Sequence, residues 1–135
     1  METPDARPAP PRDGRAAARA LLAGAVAAIA FTLYNGRANP DWVLTALFVL
    51  WVAAPFGGAA LSRHAARQWP EASRHVTDAV AVSLAIVTTL AFALDSVRPF
   101  SNKGAFAYVV IPAVGWLFVA AGTLVAAVMA RRGAG

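Results

Sequence analysis

Of 135 residues, 59% are hydrophobic and only 14% charged, and the mean hydropathy is +0.55, a balance that excludes an ordinary soluble fold. The net charge of +5 would suggest a nucleic-acid partner in a soluble protein, but the charges lie between apolar blocks and so report topology, and no nucleic acid is expected. The lack of cysteine excludes disulfides, thiolate metal centres, thioether-attached haem and thiol catalysis.

Residues 1–15 carry Pro4, Pro8, Pro10 and Pro11 among Glu2, Asp5, Arg7, Arg12, Asp13 and Arg15, with almost no bulky apolar side chain. Such a stretch cannot bury enough surface to offset its ordering entropy, which predicts a disordered cytoplasmic tail. The first apolar block, 17–34, has no charge beyond Arg19 at its edge. At about 1.5 Å per residue it spans roughly 27 Å, just enough for a hydrocarbon core of about 30 Å. A secretory signal peptide competes here, since Arg15 and Arg19 precede a short apolar core and Ala28-Ile29-Ala30 resembles a cleavage site. The long, proline-rich and partly acidic lead-in favours a retained helix.

The second block, 42–61, opens after Asn39-Pro40-Asp41, which supplies a turn and a helix start. Pro55 removes one backbone donor, so a kink is expected there, and the freed carbonyl requires this face to pack on protein. The third helix is placed at 78–97, its apolar run Ala79–Leu94 bracketed by Asp78 and Asp95. The fourth, 105–130, exceeds one perpendicular crossing, and tilt or a kink at Pro112 should absorb the excess. Residues 132–135 form a short cytoplasmic tail. These continuous apolar runs lack the period-two alternation of membrane strands. The fold expected over 16–131 is therefore an all-α integral membrane protein, an antiparallel bundle of four transmembrane helices with left-handed packing.

Cytoplasmic flanks retain positive residues, and that rule sets the orientation. With the N-terminus inside, nine arginines fall on the inner side: Arg7, Arg12, Arg15, Arg19, Arg63, Arg67, Arg74, Arg131 and Arg132. Only Arg37, Arg98 and Lys103 fall outside, so both termini are read as cytoplasmic, and cleavage of the first block would leave the other three helices oriented the same way. Arginine outnumbers lysine eleven to one, which suggests a high-GC bacterium and hence its inner membrane.

Candidate chemistry is sparse. An ionisable residue near the bilayer midplane would mark a functional site by its cost, and none is present. Proton coupling through a glutamate in the first helix is absent, and both histidines, His64 and His75, fall in the segment read as the inner loop, Ser62–Thr77, away from any intramembrane haem. Glu71 and Asp78 are credible metal-ligand types beside them, but the histidine spacing matches no recognised site, so solvated loop histidines are the preferred reading. No catalytic residue, cofactor or metal is expected.

Asp78 and Asp95 return to within about 20° of one helix face, with Thr89 between them, which makes Asp78, Thr89 and Asp95 a candidate polar transmembrane face. The preferred alternative is structural: terminal ion pairs Arg74 with Asp78 and Asp95 with Arg98, and Thr89 bonded to its own helix. In the inner loop, Arg63, Arg67, Trp69 and Arg74 are candidate anionic-lipid contacts, although any positive-inside loop would look similar. Ala20, Gly24 and Ala28, and Gly122, Ala126 and Ala130, are small residues spaced for close helix approach. Engineered cysteines at Ser73 and Ser101 would report sidedness without background.

These features point to an accessory or assembly subunit of a larger membrane complex. The alternative is a small oligomeric transporter, channel or lipid-handling protein using the Asp78/Thr89/Asp95 face. A membrane enzyme has the least support, because no nucleophile with an adjacent base is visible. The partners implied are the lipid bilayer and other membrane subunits, or further copies of the chain.

Overall fold

The computed structural model describes residues 14–99 and 105–135. Most of the expected N-terminal tail, together with Ser101 and Lys103, lies outside the described residues. The chain is all-helical there, with α1 (Arg15–Gly36), α2 (Trp42–Ala65), α3 (Glu71–Val97) and α4 (Phe106–Gly133), and a single 3-10 turn at Ala66–Gln68. All four helices are long and apolar enough to cross a membrane.

The helices are longer than their apolar runs. Lengths of 22 to 28 residues correspond to about 33–42 Å, against about 30 Å of hydrocarbon. The largest correction concerns Ser62–Thr77, expected as a loop. Here α2 continues to Ala65 and α3 starts at Glu71, so the segment is mostly helical. Polarity marks where the chain leaves hydrocarbon, not where helical hydrogen bonding stops, and Ser, Arg, His and Ala continue a helix readily. The true break is Trp69-Pro70. Proline drives the residue before it out of the helical region, and Trp69 is extended at φ −84°, ψ 160°. Pro70 then serves as the N-cap of α3, with Glu71 in the first turn facing the positive end of the helix dipole.

The α1–α2 turn follows the sequence reading more closely. Asp41 is the N-cap of α2, its Oδ1 accepting from the Val43 and Leu44 N–H groups at 3.0 and 3.1 Å.

Around the bundle the order is α1, α2, α4, α3, with α2 and α3 also touching across the diagonal and α1 and α4 least in contact. The short α2–α3 turn therefore joins two diagonal helices. The core stripe of α1, Leu21, Gly24, Ala28 and Thr32, meets Ala81, Leu84, Ala85, Thr88 and Phe92 of α3. Spacings of three and four put each set on one face. Gly24 allows a close approach of the two helices: a Cβ there would stand 2.7 Å from Ala85 Cβ and 2.9 Å from Phe56 Cε1. On α4, Gly122 lies against Val80, and Ala126 is fully buried.

Pro55 and Pro112, the candidate kinks, are both buried inside unbroken helices. Pro55 packs against Gly115 of α4, where an added Cβ would lie 3.3 Å from its ring. The Trp116 ring covers Gly58 in the same way. Among the described residues, two of the four buried Ser and Thr hydroxyls turn back on their own helix: Thr32 donates to Ala28 O and Thr77 to Arg74 O, each at 2.8 Å. Ser62 and Thr123 share a hydrogen bond of 2.7 Å between α2 and α4.

Candidate functional site

Beyond the apolar spans, at the end where α2 turns into α3, the polar extensions of α1, α2 and α3 enclose a cleft of about 680 Å³. Its shape follows from helix length. Had α2 stopped at Leu61 and α3 begun at Asp78, Arg63, Arg67, Arg74 and both histidines would sit on a loose loop. Continued helix instead fixes their directions. Arg15 comes from the first turn of α1, Arg63 and His64 from the last turn of α2, Arg67 from the 3-10 turn, and Glu71, Arg74, His75 and Asp78 from α3.

One side chain ties three helices together. Arg63 donates from Nε to Asp78 Oδ1 at 2.6 Å and from Nη2 to the Gly14 carbonyl at 2.7 Å. Both partners of the ion pair are largely shielded, with side-chain exposures of 18% and 31%. This replaces the expected pair of Arg74 with Asp78 along α3. Geometry decides between them: Arg63 reaches the carboxylate from α2, across the diagonal of the bundle, and bonding both Asp78 and Gly14 uses two edges of its planar fork. His75 Nε2 lies 3.2 Å from Glu71 Oε1, one turn apart on α3. Arg15, Arg67 and Arg74 make no ion pair among the described residues.

The cleft therefore gathers three of the four candidate lipid contacts, Arg63, Arg67 and Arg74. Trp69 stands in the turn and does not line it. Arg15 joins them, a residue the sequence reading assigned to the tail. His64, His75, Glu71 and Asp78 all border the cleft, but Asp78 is directed to Arg63 and Glu71 to His75. No group of three or more His, Cys, Asp or Glu converges among the described residues in a way that would hold a metal.

The candidate polar face is divided by packing. Asp78 belongs to the cleft. Phe92, between Thr89 and Asp95 on the stripe, is 1% exposed and stacks on Tyr108 at 5.2 Å between ring centroids. Ala85, one turn below Thr89, is pressed against Gly24. The hydroxyl inside the core is that of Thr88, and Thr89 is only half-buried. The buried residues of α3 are Ser73, Thr77, Ala81, Leu84, Ala85, Thr88 and Phe92, which take in Ala85 and Phe92 of the stripe drawn between Asp78 and Asp95 but not Thr89. Arg98 is the extended C-cap of α3, at φ −139°, with its N–H bonded to the Leu94 carbonyl.

At the opposite end a smaller polar cluster closes the bundle. Asn35 Nδ2 donates to the Tyr108 hydroxyl at 2.5 Å, and that hydroxyl approaches Phe31 O at 3.4 Å. Phe48 meets the Tyr108 ring edge-on at 6.2 Å. Seventy-three residues separate Asn35 from Tyr108, and nothing local in the sequence signals their pairing. Arg37 folds back over Tyr34, 3.8 Å from the ring centroid.

Comparison of the chain with protein-family models, with curated proteins and with solved structures gives no match.

Proposed function

We infer that the chain is an accessory or assembly subunit of a membrane complex, an antiparallel four-helix protein with both ends on the cytoplasmic side of a bacterial inner membrane. The observation that carries this reading is the closed midsection. Gly24 against Ala85 and Phe56, and Phe92 against Tyr108, fill the space a polar passage along α3 would need. With the interior packed by apolar side chains and without ionisable groups at mid-depth, what remains for function is the outer surface and the two polar ends.

That surface is extensive. In each span's most apolar stretch, between 22% and 28% of residues are buried within the bundle, leaving most of every helix for lipid or another subunit. On α2, Gly57 faces open space, with nothing within 4 Å of a Cβ placed there. Half-buried Ala53 and exposed Ala60 flank it at helical spacing, which leaves a shallow notch where a partner helix can approach closely. The orientation is supported by charge: Arg15, Arg19, Arg63, Arg67, Arg74, Arg131 and Arg132 lie towards the cleft end, and Arg37 and Arg98 towards the other.

Purification of the untagged complex from native membranes in a mild detergent tests this reading. A second protein should be recovered at fixed ratio with the chain. Recovery of the chain alone, or only as multiples of itself, refutes it.

A further inference from the structure

We propose that the arginine cleft at the α2–α3 end binds a phosphate group, supplied by an anionic lipid headgroup or by a soluble phosphate compound. The argument starts from charge balance. Four guanidinium groups line the cleft against two carboxylates. Asp78 is engaged by Arg63, and Glu71 lies beside His75. Arg15, Arg67 and Arg74, from three different segments, thus face a shared space with no carboxylate partner among the described residues. Three positive charges brought together by fixed helices repel one another, and an anion between them removes that cost.

Guanidinium chemistry selects the anion. Its planar fork matches the spacing of phosphate oxygens and remains charged at every physiological pH. The first turn of α1 adds to the positive field: it has no acidic residue and no side-chain cap, and Gly14 and Arg15 border the cleft. A volume of about 680 Å³ lies within the usual range of about 300–1,000 Å³ for a bound small molecule. The Arg63–Asp78–Gly14 clasp forms one rigid wall, so the site is organised before the anion arrives. Ala18 and Ala60, both exposed, make the apolar edge of the cleft. This inference does not depend on the subunit reading, because a bound phosphate is compatible with a partner or with none.

The test uses the full chain, purified in mild detergent, with two probes. One is phosphatidylglycerol set against phosphatidylcholine, read by native mass spectrometry as lipid retained. The other is inorganic phosphate set against chloride at matched ionic strength, read as a shift in thermal unfolding. The cleft variants are the double change Arg67→Gln with Arg74→Gln and the single Arg15→Gln; none of these side chains makes an ion pair among the described residues, so folding should persist. The control, Arg131→Gln with Arg132→Gln, removes two charges at the same end outside the cleft.

Loss of charged hydrogen bonds should weaken binding at least about tenfold in the double cleft variant, and less than about twofold in the control. Selective retention of phosphatidylglycerol without a phosphate shift assigns a lipid headgroup. A phosphate shift without lipid preference, abolished by the cleft variants, assigns a soluble compound. Equal loss in cleft and control variants, or no preference with either probe, overturns the proposal.

Discussion

Two glycines on neighbouring helices allow a matched test of the packing. A Cβ at Gly24 would lie 2.7 Å from Ala85 Cβ, 2.8 Å from Ala85 Cα and 2.9 Å from Phe56 Cε1, whereas one at Gly57 would meet nothing within 4 Å. Carbon atoms rest at about 3.5–4.0 Å, so Gly24→Ala forces α1 and α3 apart by roughly 0.8 Å or more. Because one obstructing atom is backbone, no change of rotamer relieves it. Overpacking of this kind costs about 1–3 kcal/mol, and the gap forced along the seam forfeits a quarter or more of the contact energy of neighbours such as Leu21 and Ala28. Alanine recovers about 0.5–1 kcal/mol of helix propensity over glycine, which leaves a net loss of about 1–2 kcal/mol. Gly57→Ala makes the same chemical change without the clash and should gain up to about 1 kcal/mol. Reversible unfolding in mixed micelles of mild detergent and dodecyl sulfate, followed by far-ultraviolet circular dichroism, gives both numbers. If Gly24→Ala is as stable as Gly57→Ala, the close α1–α3 approach is wrong.

A double-mutant cycle on Arg63→Gln and Asp78→Asn should yield a coupling of about 1 kcal/mol or more, at or above the ~0.2–1 kcal/mol of exposed pairs, since both side chains are shielded. The same cycle with Arg74→Gln and Asp78→Asn should give under about 0.3 kcal/mol; the reverse ranking would restore the pairing along α3. Tyr108→Phe removes the hydrogen bond from Asn35, and since Asn35 is exposed and can turn to water, the loss should stay near the low end of about 0.5–1.5 kcal/mol. Ser73 is 1% exposed and Gln68 is exposed, so a cysteine at Gln68 should label in inverted vesicles and not in sealed cells, and one at Ser73 in neither until the bundle is unfolded. Equal labelling rates at the two positions in inverted vesicles would contradict the burial of Ser73.

The last of these corrects the choice of reporter that sequence alone suggested. Ser73 reads as a loop position because it stands among Arg63, Arg74 and His75. In the fold it begins the buried stripe of α3, and its hydroxyl has no hydrogen-bond partner among the described residues. Polar composition marks where the apolar span ends, but it gave the conformation of the segment beyond it wrongly. The same error placed Arg15 in a tail, whereas it stands in the first turn of α1.

What the sequence determined by itself was the number of helices, their apolar spans and the turns where local chemistry is unambiguous. Asp41 caps α2 because a side-chain carboxylate is within reach of the next N–H groups, and Pro70 breaks the chain because it excludes helix from Trp69; both effects act over three residues or fewer. The small-residue stripe at Gly24 and Ala28 was also legible, although not which helix it would meet. Only the tertiary structure decided that α1 packs on α3 and that α2 and α3 lie diagonally. It alone joined Asn35 to Tyr108 and brought Arg15, Arg67 and Arg74 to one cleft. Helical periodicity fixes which residues share a face, but the partner of that face is chosen by packing summed over the whole bundle. Sequences so rich in alanine, valine and leucine offer many faces that fit nearly as well.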